Sequence, residues 1–411
     1  MSGRNGQGCV YGLVAGGNVG RSSLDRVALV WDEGLLGYGF GRGHPLDPVR
    51  VGLTVDLVRT VGLLDLSHVD VVAPMGVAED DLLRVHRSRY IQAVQRLSLV
   101  GAVGAAVDHS FGLGVGDTPA FPGVHDLSAA VCGATTEAAR RVLSGDAIHA
   151  FSPAGGLHHA MPDRASGFCV YNDPGVAIAW MLAQGVERVA YVDTDVHHGD
   201  GVELMFADDP RVLTFSIHES GRFLFPGTGH SDDVGGPGAL GSAANLPLLP
   251  GTAGDVWLAA FDAVAEPLLR AFAPDVLVTQ LGCDTHVDDP LAHLSLRVDD
   301  HATIADRMHT LAHELCEGRW IATGGGGYRP VDVVPRSWTA AFAVMAGHEL
   351  PDEIPLDWRD RASLLGRGPA PTSFWDTPIE VEDAVHARTM QAATDAVEAI
   401  RRLVLPRHGV R

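Results

Sequence analysis

The sequence predicts one large α/β domain of three layers, a mainly parallel sheet between two sets of helices. Three observations carry this. Short β-branched runs alternate with Ala- and Leu-rich amphipathic stretches from Val27 to about Ala346. The β-branched runs are nearly continuous in apolar residues, as strands covered on both faces are. No linker-like break interrupts the series, so the 411 residues, 46% hydrophobic, read as one core and not two.

Taken in order, residues 1–26 ("MSGRNGQGCVYGLVAGGNVGRSSLDR") are rich in Gly and Ser and lack a long apolar core. They read as a flexible lead-in and not as a signal peptide. The main domain is expected over 27–376. Its strands are expected at "RVALVW" (26–31), "RVAYVD" (188–193), "RVLTFSI" (211–217), "DVLVTQLG" (275–282) and "RWIATGGGG" (319–327). Its helices are expected at 80–98, 127–143, 174–184, 255–272 and 300–317, where apolar residues recur with helical spacing. A Pro-rich passage follows over 350–378. The segment 377–411 is expected to pack a closing helix on the domain, because "VEDAVHARTMQAATDAVEAIRRLV" has its acids early and its bases late.

Bulk composition excludes several classes. A formal net charge of -21 opposes nucleic acid and anionic membranes, which need clustered Lys and Arg. It keeps a cytoplasmic protein soluble and mildly attracts a basic substrate tail. No apolar run approaches the ~20 residues that span a bilayer. The five cysteines are odd in number and none has C-x-x-C spacing, which fits a reducing cytoplasm and no disulfide framework.

In open α/β sheets, ligands bind beyond the carboxyl ends of the strands. Four of the expected strands run directly into polar motifs there. After "RVAYVD" comes "TDVHHGDGVELMF". On an extended chain Asp195 and His197 project together, with Asp193 on the same side one step earlier. A carboxylate and an imidazole make two corners of a metal site, and Asp284 in "LVTQLGCDTH" supplies a third from another strand end. Two carboxylates neutralise a divalent ion, and the set admits zinc or ferrous iron. A lone Asp-x-Asp-x-His could be an ordinary loop, but that reading must also explain Asp200, Asp284 and a second histidine pair. That pair, His158 and His159 in "SPAGGLHHAMPDRASGFCVYND", can act as general base and acid. Asp193 and Asp200 remain to orient them. "WIATGGGGYRP" places Tyr328 after four glycines, where its phenol can donate to an oxyanion. It is not a P-loop, because the Gly-Lys-Ser/Thr ending is absent.

These residues in this order resemble the histone deacetylase family. "GGLHHA", "GFCVYND", "VDTDVHHGDGVE", "FPGTG", "GCDTH" and "GGGGY" match its active-site segments. The nearer resemblance is to the bacterial acetoin-utilisation deacetylases (AcuC type). It is carried by "GFGRGHPLDPVR", "DLLRVHRSRYIQAV", "FGLGVGDTPAFPGVHD", "DDPLAHLSL" and "VVPRSWT", and spans about Val27 to about Asp376. The resemblance implies an arginase/deacetylase-like fold. It also implies a zinc-dependent amidohydrolase that removes acetyl groups from acetyl-lysine side chains of proteins by metal-activated water. Asp195, His197 and Asp284 match the metal ligands. His158 and His159 match the tandem acid–base pair, Asp193 and Asp200 their carboxylates, and Tyr328 the carbonyl-polarising tyrosine. Phe168, with Gly167, and Phe225 match the walls of the acyl-lysine tunnel, and Asp117 an acid at its rim. Asp193, Asp195, His197, Ser216 and Ile217 match a structural potassium site built on main-chain oxygens, and Arg50 the arginine of an interior acetate channel. Leu224 departs from the aromatic residue many relatives carry. The implied partners are acetylated metabolic enzymes such as acyl-CoA synthetases. Two rivals share the scaffold: an acetylpolyamine amidohydrolase, and a two-manganese ureohydrolase, whose extra carboxylate the Asp284-x-His286-x-Asp288 pattern loosely evokes although His286 interrupts it.

Overall fold

A computed structural model describes residues 25–100, 109–114 and 116–410. Apart from its last two residues, the expected lead-in lies outside them. Among the described residues, eight strands form one sheet and every pairing is parallel. They are β1 (Val27–Val30), β2 (Val69–Val72), β3 (His149–Ser152), β4 (Val189–Asp193), β5 (Val212–Glu219), β6 (Ala243–Leu248), β7 (Val276–Gln280) and β8 (Trp320–Thr323). Their spatial order is β2-β1-β3-β8-β7-β4-β5-β6. This is the arginase/deacetylase-like α/β architecture that the sequence predicts.

Successive residues of one strand enter opposite cores. Val27 and Leu29 pack into one apolar layer and Ala28 and Val30 into the other; Ala190 and Val192 oppose Val189 and Tyr191 in the same way. The sheet is therefore covered on both sides, which is why its strands read as unbroken apolar runs.

Five of the eight strands coincide with the expected runs. The other three escaped for local reasons. β2 carries Asp70 and is only partly buried along its length, and β3 starts on a histidine. β6 lies at the sheet edge, where Pro247 is tolerated. The helix expected at 80–98 is two helices, Glu79–Leu82 and Ser88–Val100. Between them the buried His86 ring bonds Met161 O at 3.0 Å and the Asn172 amide at 3.0 Å, and Arg87 N donates to Pro162 O at 2.7 Å. These tertiary bonds draw the backbone out of the helix. The Pro-rich passage contains a helix, Leu356–Leu364, whose Trp358 is fully buried with Phe374 against Leu53 and Leu57. The closing helix, Asp383–Leu403, packs on β6 and on the helix Gly254–Phe272.

The four central strands β3, β8, β7 and β4 end side by side. Asp193 is in register with Gln280, and Ser152 with Thr323. The segments that follow these ends carry the motifs singled out above.

Candidate metal centre and active site

Asp195 and His197 follow β4, and Asp284 follows β7. Their ligand atoms all lie within 4.8 Å of one another, and all three residues are buried. His197 Nδ1 is 3.0 Å from Asp195 Oδ1 and 3.1 Å from Asp284 Oδ2. The carboxylates are held from behind. Asp195 Oδ2 accepts from the Gln280 side-chain amide at 2.6 Å and from Gly326 N at 2.7 Å, and Asp284 Oδ1 accepts from Val196 N at 2.9 Å. Two glycines permit this closeness. A Cβ on Gly326 would stand 1.9 Å from Asp284 Oδ2, and one on Gly282 would stand 2.1 Å from Asp195 Oδ2.

The electrostatics of this trio are those of a cation site. Burial and the neighbouring charge of Asp195 push Asp284 up to about 7. Burial disfavours the charged forms of Asp195 and His197 as well, yet the charge of His158 and then the bond with His197 outweigh it for Asp195, as the two carboxylates do for His197. Asp195 stays well below the carboxylate range, and its bonds with Asp195 and Asp284 raise His197 to about 10. Two carboxylates and an imidazole thus converge in a buried space. A divalent cation held by these three residues would be neutralised by the two carboxylates, so the residues present fit one.

The tandem histidines adjoin the trio. His158 Nδ1–H donates to Asp193 Oδ2 at 2.8 Å, and His159 Nδ1–H to Asp200 Oδ1 at 2.7 Å. Their Nε2 atoms face each other at 3.0 Å, and His158 Nε2 is 3.9 Å from Asp195 Oδ1. Adjacent residues diverge in this way because the Gly155–Gly156 turn is clamped from below. Asp173 accepts from Gly156 N at 2.9 Å, Leu157 N at 2.8 Å and the Thr135 hydroxyl at 2.5 Å. The two rings part in acidity. Burial alone would depress His158, but the charges of Asp193 and Asp195 raise it to about 9. Burial and then the charge of His158 lower His159 to about 4. One imidazolium and one neutral imidazole therefore stand side by side.

The Gly324–Gly327 loop after β8 delivers Tyr328, whose backbone N donates to Asp289 Oδ2 at 2.8 Å. Burial, then the charges of Asp284 and Asp195, raise the phenol well above its usual range, so it stays a donor. Phe168 meets Tyr328 edge-on at 5.7 Å between ring centroids, and Phe225 meets His159 at 5.0 Å and His197 at 6.3 Å. Phe225 thus stands beside the cluster, and Phe168 beside Tyr328. Phe168 adopts φ 65°, a conformation aromatic residues seldom take; the Tyr38 hydroxyl donates to its carbonyl at 2.7 Å and holds it there. Gly167 packs directly against the His159 ring.

The remaining expected residues fall around this centre. Asp117 is exposed, and its carbonyl lies 2.9 Å from His44 Nε2, the His44 ring packing on Phe168 at 4.7 Å. Ser216 and Ile217 lie on β5, with Ser216 in register with Asp193. Arg50 is buried behind the glycine loop, donating to Gly327 O at 2.9 Å with its guanidinium 5.1 Å from the Trp338 ring centre. Leu224 is half-buried against the core. His286 does not join the trio; its Nε2 is 3.0 Å from Asp376 Oδ2, and its Nδ1 accepts from Asp288 N at 3.1 Å.

Sequence reasoning passed over Gln280, Asp289, Asp173 and His44. Gln280 and Asp173 carried a signal, each being polar within a segment otherwise fit for burial. Asp289 and His44 carried none, because their partners are distant in the chain.

A parallel α/β/α fold with a buried two-carboxylate, one-imidazole cluster at its central strand ends is of the arginase/deacetylase class. The family model for the histone deacetylase domain matches residues 44–345. The acetoin utilization protein AcuC of Bacillus subtilis (strain 168) is 42% identical over 373 residues, which cover 89% of this chain and 95% of that protein. The protein of the same name from Staphylococcus xylosus is 35% identical over 348 residues, covering 84% and 90%. This chain belongs to the histone deacetylase family, in its AcuC-type branch.

Proposed function

We propose that this protein is a zinc-dependent lysine deacetylase that hydrolyses the acetyl amide of acetyl-lysine side chains in proteins, with ferrous iron as the alternative ion. The observation that carries the proposal is the pairing of each tandem histidine with its own buried carboxylate, beside the Asp195–His197–Asp284 cluster. Those three residues would hold the ion. When bound, it would polarise the acyl carbonyl and make water more acidic.

The protein's own groups do the rest. Phe168 and Phe225 confine the aliphatic stem of the lysine, which buries apolar surface while keeping bulk water out. The Tyr328 hydroxyl donates to the carbonyl oxygen as it gains charge. His159, neutral and oriented by Asp200, accepts the proton of the attacking water at Nε2 and returns it to the leaving amine. His158, paired with the buried Asp193, stabilises the developing negative charge. The products are acetate and free lysine. We further propose that main-chain oxygens of Asp193, Asp195, His197, Ser216 and Ile217 hold a structural potassium ion, a reading supported by the register of β4 against β5.

The names of the relatives support a link to acetoin and acetate metabolism, with acetylated enzymes such as acyl-CoA synthetases as substrates. The net charge of -21 disfavours nucleic acid and membrane partners. Four buried, unpaired cysteines suit a reducing cytoplasm. The test is turnover of a fluorogenic acetyl-lysine peptide, with chelation and metal add-back, against N-acetylputrescine as competing substrate. Peptide turnover that chelation abolishes and zinc restores is expected; turnover unaffected by chelation would overturn the reading.

A further inference from the structure

A second group of metal-binding side chains lies away from the site just described. His149 opens β3, three residues before the strand end that leads to the active-site loop. His309 and His313 stand one helical turn apart in "HTLAH" on the helix Val298–Cys316, so they share a face. His149 is buried, His309 half-buried and His313 exposed. The ring centroids are 4.9 Å (His149–His309), 5.0 Å (His149–His313) and 4.6 Å (His309–His313) apart. Trp320, the register partner of His149 on β8, packs edge-on against His149 at 5.5 Å.

The rings point the same atom inward. His313 Nε2 is 3.2 Å from His149 Nε2 and 3.1 Å from His309 Nε2. An imidazole nitrogen carries either one hydrogen or one lone pair in the ring plane. His313 Nε2 therefore cannot satisfy both contacts, since it can donate only once or accept only once. Three rings this close also resist being charged together. A cation drawing in three lone pairs removes both conflicts. Two imidazole nitrogens on a tetrahedral zinc with bonds of ~2.0–2.1 Å stand roughly 3.4 Å apart, close to the spacing here.

We infer that His149, His309 and His313 form a second transition-metal site, of the Zn2+ class, that staples the helix Val298–Cys316 to β3. The exposed side at His313 leaves a fourth position for water. The ligands are all imidazoles, which suit Zn2+, Ni2+ or Cu2+ and disfavour Mg2+ and Ca2+. The site is separate in residues and in strand end from the carboxylate-rich cluster.

The experiment is a metal count on full-length protein that has been stripped, titrated with Zn2+ alone and desalted. Three proteins are compared: wild type, His309→Ala/His313→Ala and Asp284→Asn. Wild type is expected to hold two equivalents. The double variant is expected to hold one and keep peptide turnover at the wild-type level, since it touches no active-site group. Asp284→Asn is expected to hold one, bound through the histidines, so failure of the catalytic metal and failure of this site are read separately. Zinc should raise the thermal midpoint of Asp284→Asn but not of a variant that also lacks the two histidines. A milder variant, His313→Gln, should weaken the same equivalent without disturbing the fold. If the double variant retains as many equivalents as wild type, or if the second equivalent appears only at millimolar zinc, the site is refuted.

Discussion

At the scale of single residues, the catalytic proposal rests on groups whose charge is set by a few neighbours. Tyr328→Phe removes one donor to the developing oxyanion and leaves the metal cluster intact. Activity on an acetyl-lysine peptide should fall about 10²–10³-fold with unchanged metal content. Asp284→Asn acts on the other half of the site. It removes a ligand oxygen and a negative charge, so the catalytic metal should be lost, as measured by mass spectrometry of the desalted protein. Normal metal retention at that cluster would refute the ligand assignment. The residue identities were legible because Asp, His and Tyr are costly to bury and stood at strand ends. Their difference in basicity was not legible, because His158 and His159 are sequence neighbours and the carboxylates that raise His158, Asp193 and Asp195, are more than thirty residues away.

At the scale of elements, short loops from parallel strands carry the chemistry, and their backbone closeness is as constrained as the side chains. Gly326→Ala tests this, because its Cβ would collide with Asp284 and approach Asp195 Oδ2 at 2.8 Å. The variant should lose metal and peptide turnover while keeping its helical circular dichroism. The strands found from sequence stand in apolar runs, whereas the three missed carry the charge of Asp70, open on His149 or hold Pro247 at the sheet edge. The helix over 80–98 broke where His86 and Arg87 found partners around Pro162. Helical periodicity reports which face is apolar, but it does not report a backbone bond to a distant loop.

At the scale of the whole molecule, the C-terminal third closes the domain. Asp376 ties it down, accepting from Arg336 at 2.7 Å, from Val298 N at 2.9 Å and meeting His286 at 3.0 Å. Against the effect of its burial, these partners hold Asp376 well below the usual carboxylate range. A depressed carboxyl stabilises the folded state above its unfolded pKa of ~3.9, and that stability is lost as pH falls through the folded value. Asp376→Asn should therefore cost about 1–3 kcal/mol near neutral pH, allowing for solvent screening. The gap from wild type should narrow in acid, as denaturant melts across pH would show. An equal gap at all pH values would assign the loss to packing. On the closing helix, Ile400 is fully buried, and Ile400→Ala should cost about 2–5 kcal/mol through the cavity it leaves. A denaturant midpoint unchanged from wild type would mean that this helix does not share the domain's cooperative unfolding.

The sequence by itself determined the fold class, five of the eight strands, and which ionisable residues stand at the strand ends as candidates for the site. Apolar periodicity and ionisable residues beside it are local properties that a linear reading can detect. Only the tertiary structure decided which donors meet at one point, that Gln280 and Asp289 brace the site, that His286 turns away from it, and that His149 meets His309 and His313. Each of these depends on atoms brought together from strands and helices far apart in the chain, and no local preference encodes such a distance.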